Sequence, residues 1–125
     1  MPKLWFIADT HWGHGSIIRF CYRPFQSLFE MDDALIKNWN AVVGPNDLVY
    51  HLGDVAFQKP DRYLNNLNGE MFLIAGNHDK GKVMKHPRWR KVVPYMELTL
   101  QEHGKQKIVL SHYAFETWNK AHWGA

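Results

Sequence analysis

The chain has 125 residues, 46% of them hydrophobic and 22% charged, which fits one globular domain with a real core. Its formal net charge of +3 suits an anionic ligand, but the basic residues between Lys80 and Lys91 are scattered, which favours a solvated face over a nucleic-acid groove. No run approaches the ~18 apolar residues of a membrane span, no secretory signal is visible, and Cys21 is the single cysteine. We therefore expect a cytoplasmic protein without membrane contact.

The first part of the chain predicts strands that alternate with helices. Short apolar runs bounded by turn residues predict three buried strands at Leu4–Ala8, Leu48–Leu52 and Met71–Ala75. A capping box at Ser27–Glu30 begins a helix with apolar residues at helical spacing, and Gly44 ends it. A shorter helix is predicted between Pro60 and Leu67.

The later part of the chain predicts a hairpin, because Met96–Gln101 and Gln106–Leu110 flank a polar turn that contains glycine. Together the elements predict an α/β fold in a single domain over residues 1–125. We expect parallel pairing of the early strands and antiparallel pairing of the later ones.

Polar residues with metal-binding side chains follow four of these strands. They are Asp9 and His11, then Asp54, then Asn77, His78 and Asp79, and finally His112. In open α/β sheets ligands bind outside the carboxyl ends of the strands, so we expect these groups to converge. Carboxylate, imidazole and amide donors without thiolate suit divalent Mn, Fe, Zn, Ni or Co.

The spacing of the first pair has a simple interpretation. Asp9 and His11 are two residues apart, so in an extended chain both side chains point the same way and can hold one ion. Two cations need a shared ligand, and the carboxylate of Asp54 can bridge them.

These residues resemble the motifs of the calcineurin-like metallophosphoesterases. The family's D-x-H, G-D, G-N-H-[DE] and lone His appear in order as Asp9-Thr10-His11, Gly53-Asp54, Gly76-Asn77-His78-Asp79 and Ser111-His112. The stretches DTHWGH, RFCYRPF and VYHLGD are similar to the short bacterial and phage phosphoesterases. The resemblance implies a sandwich of two β-sheets flanked by helices, with a dimetal centre at the strand ends.

The resemblance also implies a set of metal ligands. Asp9, His11 and a bridging Asp54 would hold one divalent ion. The second ion would be held by Asp54, Asn77 and His112.

The implied reaction is the hydrolysis of phosphate mono- or diesters by a water that two metal ions activate to hydroxide. His78 would stabilise or protonate the leaving oxygen without binding metal, and Asp79 would orient the His78 imidazole. The expected partner is a small phosphorylated substrate, with a nucleotide as one candidate, whereas a nucleic-acid partner is unsupported.

Three further residues have two interpretations each. His14 lines the phosphate pocket or is a surface histidine, and Arg23 contacts a phosphate or is solvated. His51 either supports the metal ligands from behind or is a satisfied core histidine.

The sequence departs from the family at its end, where the closing G-H-x-H motif is absent. His122 is the nearby histidine but lacks the pattern, so we expect it not to substitute. We interpret the chain as a domain without its C-terminal portion. Weaker metal retention, reduced activity and an exposed sheet edge are then expected.

Two alternatives to a phosphoesterase remain at this point. The missing motif favours a non-catalytic metal-binding or interaction protein with a degenerate site, whereas the intact Asn77-His78-Asp79 disfavours it. The other alternative is a metal-dependent nuclease, which the lack of a concentrated basic stripe argues against.

Overall fold

A parallel sheet lies at the centre of the computed structural model, which describes residues 2–76, 78–101 and 104–113, with the side chain of Phe20 left aside. In the described part of the chain it has four strands in the order β1 (Leu4–Ile7), β2 (Leu48–His51), β3 (Glu70–Ile74) and β4 (Trp89–Val93). Each neighbouring pair is parallel, so all carboxyl ends lie at one edge of the sheet. The predicted α/β fold and the early parallel pairing are confirmed.

The helices described are α1 (Ser16–Phe20), α2 (Leu28–Val42), α3 (Pro60–Leu64) and α4 (Gly81–Met84). The predicted capping box begins α2, because Ser27 Oγ accepts the amide of Glu30 at 3.1 Å and the Glu30 carboxylate accepts the amide of Gln26 at 3.2 Å. The sequence did not predict α1, α4 or β4.

The predicted hairpin is formed by β5 (Met96–Leu100) and β6 (Gln106–Leu110), which pair antiparallel. It covers one face of the parallel sheet, where Tyr50, Ile74 and Leu110 form a buried cluster. The two sheets therefore pack face to face, as the resemblance implied.

The helices cover the opposite face of the parallel sheet. Alternate strand residues such as Val49, Met71 and Leu73 point to this side and pack with Trp39 of α2 and Leu64 of α3. Because the strands carry apolar residues on both faces, the central strands are buried between helices and hairpin.

The first strand is less buried than predicted. Among the described strands β1 pairs with β2 alone, and Leu4 and Phe6 remain 38% and 41% exposed. The prediction of a buried first strand is therefore wrong, and β1 is an exposed edge of the parallel sheet. In the described part of the chain no helix combines the length and the apolar character needed to cross a bilayer.

Hydrogen bonds to the side chain of Asp47 connect the amino end of β1 with the turn that follows α2. Its carboxylate accepts the backbone amides of Lys3 at 3.0 Å and Gly44 at 2.8 Å and the indole N–H of Trp5 at 3.0 Å. The amide of Gly44, and then that of Lys3, holds the pKa of Asp47 below its usual value.

Replacing Asp47 with Asn should lower the melting temperature at pH 7, because one acceptor oxygen is lost. Since the folded pKa of Asp47 is lowered, its stabilising effect is present above the unfolded value of 3.8 and is lost as the pH falls through the folded value. The melting-temperature gap between the two proteins should therefore narrow towards pH 3. Thermal unfolding followed by circular dichroism checks this, with Asp33→Asn, which removes an exposed helical ion pair, as the control.

Candidate metal centre

Loops at the carboxyl edge of the parallel sheet carry Asp9, His11, Asp54, His78 and Asp79. Hydrogen bonds between the first two loops continue the strand pairing. The loop after β1 donates its backbone amides to the loop after β2, from Asp9 to Gly53 at 2.9 Å, His11 to Asp54 at 3.1 Å and Trp12 to Val55 at 3.0 Å. The register of β1 against β2 thus fixes where the first two motifs meet.

The backbone at three of these residues is left-handed. Asp9, His11 and Asp54 have φ of 56°, 53° and 57°. The expectation of an extended Asp9–His11 segment is therefore wrong, although both side chains still face Asp54. Asp and His adopt this conformation more readily than most residues, and such strain of ~1–3 kcal/mol is typical of functional sites.

Asp9, His11 and Asp54 form a group that could hold one divalent ion, with one donor atom from each residue within 4.8 Å of the others. The Nε2 atom of His11 lies 3.8 Å from Asp9 Oδ1 and 3.6 Å from Asp54 Oδ2. These are the three ligands that the resemblance implied for the first ion.

His112 approaches Asp54 as well, with Nε2 3.6 Å from Oδ2. The other ring nitrogen of His112 lies 2.7 Å from the carbonyl oxygen of Leu52, so Nδ1 carries the proton and donates it. The lone pair of Nε2 is therefore directed towards Asp54, which is how histidine ligands are commonly oriented. Asn77, the remaining ligand implied for the second ion, lies outside the described residues.

The glycines of the second and third motifs allow this close approach. A Cβ atom on Gly53, whose φ is +103°, would lie 2.7 Å from His112 Nδ1. A Cβ atom on Gly76 would lie 2.7 Å from Asp54 Oδ1. Both positions therefore require glycine.

The protonation states of these groups suit a divalent cation. Burial lowers the pKa of His11 despite the nearby Asp54, so the imidazole is neutral at neutral pH. Burial by itself would raise the pKa of Asp54, but hydrogen bonds from the side chain and amide of His78 bring it below the usual value. An ionised carboxylate beside the neutral imidazole of His11 is a suitable donor set for a borderline divalent ion.

His78 lies against Asp54, with Nδ1 3.0 Å from Oδ2 and the backbone amide 3.0 Å from Oδ1. Its side chain is 49% exposed, so the imidazole stands at the open side of the site.

Asp79 does not make the predicted contact with His78. Its Oδ2 accepts the amides of Gly76 at 2.6 Å and Asp54 at 3.0 Å, and its Oδ1 accepts the amide of Val55 at 3.0 Å. Among the described contacts the imidazole of His78 is oriented by Asp54 instead. Asp79 therefore fixes the loop that carries Asp54 to the loop after β3.

His51 is fully buried behind the site and joins two of its loops. Its Nδ1 accepts the amide of Gly53 at 3.1 Å, and its Nε2 lies 3.0 Å from the hydroxyl of Thr10, which donates to Val55 at 2.8 Å. Burial lowers the pKa of His51 to about 3. Both interpretations of His51 therefore apply, since it is a satisfied core histidine that supports the segments carrying Asp9 and Asp54.

The two other candidates also have defined positions. Arg23 donates to the backbone carbonyls of Asp9 and Thr10, so it supports the first motif and is not simply solvated. His14 lies beside the site, with Nδ1 3.0 Å from Nδ1 of His11.

Phe57 is a site residue that the sequence did not reveal. Its ring stacks on His14 with centroids 3.9 Å apart and lies 5.4 Å from the rings of both His11 and His78. A lone phenylalanine after a turn has no pattern that distinguishes it from a core residue.

Replacing His51 with Asn should flatten the dependence of stability on pH. Because the folded pKa of His51 is about 3 and the unfolded value is 6.5, its stabilising effect is present above pH 6.5 and is lost as the pH falls towards 3. Near pH 4.5 this residue should lower the free energy of unfolding of the wild-type protein by about 2–3 kcal/mol. Urea unfolding at a series of pH values measures this loss. An equal change of unfolding free energy with pH in the two proteins would contradict the lowered pKa of His51.

Replacing Asp79 with Asn should destabilise the fold by about 2–4 kcal/mol, because a buried backbone amide loses its acceptor. Affinity for Mn²⁺ should fall as well, since the loop that carries Asp54 loosens. Chemical denaturation and calorimetric metal titration check these outcomes. Unchanged stability and metal affinity, with a changed pH profile of activity alone, would instead support the orienting role on His78.

Comparisons with known proteins agree with this geometry. A family profile described as calcineurin-like phosphoesterase matches residues 2–123. An uncharacterized protein of Methanocaldococcus jannaschii is 48% identical over 64% of this chain and 48% of its own length. The gene 66 protein of mycobacteriophage L5 is 31% identical over 76% of this chain and 48% of its own length. The chain spans about half the length of these relatives.

A solved structure is similar too, that of a protein of unknown function from Aquifex aeolicus. The TM-score is 0.76 at 31% identity, with 90% of this chain and 61% of that chain covered. With the family profile and the relatives, this shows that the chain belongs to the calcineurin-like phosphoesterase family.

Proposed function

We propose that the protein hydrolyses phosphate mono- or diesters at a centre that holds two divalent ions, with Mn, Fe, Zn and Ni as candidates. The observation that carries the proposal is the position of Asp54. One buried carboxylate, 5% exposed, has Nε2 atoms of His11 and His112 both 3.6 Å from its Oδ2. Such a carboxylate is suited to bridge two cations.

The residues divide between two ion positions. Asp9, His11 and Asp54 would hold one ion, and Asp54, His112 and Asn77 the other, with Asn77 assigned by family resemblance. Bound there, the ions would supply Lewis acidity that polarises the phosphoryl oxygens and lowers the pKa of a water. The neutral His11 and the ionised Asp54 are in the protonation states that ligands require.

His78 is our candidate for the group that assists the leaving oxygen. Its Nδ1 is held by Asp54 at 3.0 Å and half of its side chain is exposed, so Nε2 is left for a substrate. In its doubly protonated form the ring would donate the Nε2 proton to the leaving oxygen. Phe57 and His14 stack on each other beside the site.

One observation favours a second candidate function. Because Nδ1 of His78 approaches Asp54 as closely as a ligand would, His78 could be a further metal ligand in a non-catalytic metal-binding protein.

Replacing His78 with Gln should lower turnover of an aryl phosphate or diester by about 10²–10⁴-fold while metal stays bound, as expected for loss of a general acid. Hydrolysis of p-nitrophenyl phosphate and bis(p-nitrophenyl) phosphate with added Mn²⁺, and metal content by mass spectrometry, are the measurements. Asp54→Asn should abolish both activity and metal binding.

The matched control is His86→Gln, because His86 is bonded to Asp61 at 2.7 Å and lies outside the ligand cluster. The His86 variant should retain hydrolytic activity and bound metal at temperatures where it is folded. Loss of metal from the His78 variant would reassign His78 as a ligand. Absence of any metal-dependent hydrolysis in the wild-type chain would leave only the metal-binding function.

A further inference from the structure

A trough of about 600 Å³ lies beside the candidate metal centre, between the segment that follows β2 and the start of α4. We call it the lysine trough, after three of its lining residues, Lys59, Lys80 and Lys82. Phe57 and Gly81 also line it. Its volume is that of a small-molecule pocket rather than an extended groove.

The lysine trough carries positive charges that no carboxylate among the described residues neutralises. All three lysines are exposed, and among the residues that the structure describes no acidic one lines the trough. Within the described ranges no carboxylate forms an ion pair with any of the three. Three like charges around one concave space repel each other, and an anionic ligand would relieve that repulsion.

The two arginines of the same region have structural partners. Arg88 donates to the carbonyls of Leu67 at 2.7 Å and Gly69 at 3.0 Å, and Arg90 pairs with Glu70 at 2.7 Å. The basic residues between Lys80 and Lys91 were expected to form one solvated face, but their arginines and the lysines of the trough differ in their contacts. Arginines bind the protein itself, while lysines of the trough are left for a ligand.

The lysine trough lies next to the candidate metal centre. Phe57 forms a wall of the trough, and its ring lies 5.4 Å from the ring of His78. Lys80 is two residues after His78, so their Cα atoms are at most about 7 Å apart. A ligand with one phosphate at the proposed ions would therefore have its next group within reach of the trough.

We propose that the lysine trough binds a second phosphate of the substrate. The substrates would then be nucleotide-sized phosphate esters with at least two phosphate groups, and simple monophosphates would bind more weakly. This inference rests on the proposed function of the adjacent centre. Charge-assisted contacts from Lys59 and Lys82 should together make a bisphosphate bind about tenfold or more tightly than the matching monophosphate.

The test measures binding and turnover separately on the Mn²⁺-loaded chain. Calorimetry compares adenosine 3′,5′-bisphosphate with adenosine 5′-monophosphate, and p-nitrophenyl phosphate reports hydrolysis. The wild-type chain should prefer the bisphosphate about tenfold. The double variant Lys59→Gln/Lys82→Gln should lose that preference. Lys85→Gln, which removes one charge outside the trough, should retain it along with wild-type hydrolysis.

The two proposals fail in different ways. Equal binding of the two nucleotides by a chain that hydrolyses aryl phosphate would overturn the trough assignment alone. A bisphosphate preference that the lysine variant removes, in a chain without hydrolysis, would support the trough and overturn the phosphoesterase proposal. Much tighter, salt-sensitive binding of a single-stranded oligonucleotide would overturn the small-substrate assignment.

Discussion

The arrangement of the whole carboxyl edge of the sheet depends on one buried, ionised carboxylate, that of Asp54. Imidazole nitrogens of His11, His78 and His112 lie within 3.6 Å of its Oδ2. Each histidine comes from a different segment. The parallel register brings the segments of His11 and His78 to Asp54, and the hairpin packed on the same sheet brings His112. A buried carboxylate without compensating donors is costly, and here the amide and the ring of His78 supply hydrogen bonds to it.

The supporting contacts explain how unfavourable backbone conformations persist there. Asp9 and Asp54 have left-handed φ, and hydrogen bonds fix the segments on either side of them. Arg23 holds the carbonyl of Asp9, while Asp79 holds the amide of Asp54. His51 stays neutral because of burial and joins the two segments from below. The protein's own hydrogen bonds therefore hold the segments that carry the candidate ligands, and such support is the usual condition for a tight and selective site.

Elements with a strong pattern could be predicted from the sequence, and those without one could not. The capping box at Ser27 and the apolar run at Met71 identified α2 and β3 because capping and burial leave local signals. β4 was missed because Arg90 and Lys91 interrupt its apolar run, and α4 is a single turn. The polar residues at the strand ends predicted a group that the structure brings together, namely Asp9, His11 and Asp54. The contact of Asp79 was predicted wrongly because proximity in sequence to His78 does not reveal that a carboxylate can turn back onto backbone amides.

The central claim is that Asp54 bridges two cations, and anomalous diffraction from crystals saturated with Mn²⁺ tests it most directly. The account predicts two anomalous peaks ~3.5–4 Å apart, on either side of the Asp54 carboxylate. The first should contact Asp9 and His11, and the second should contact His112. A single peak remote from Asp54, or ions bound to unrelated surface carboxylates, would contradict the account.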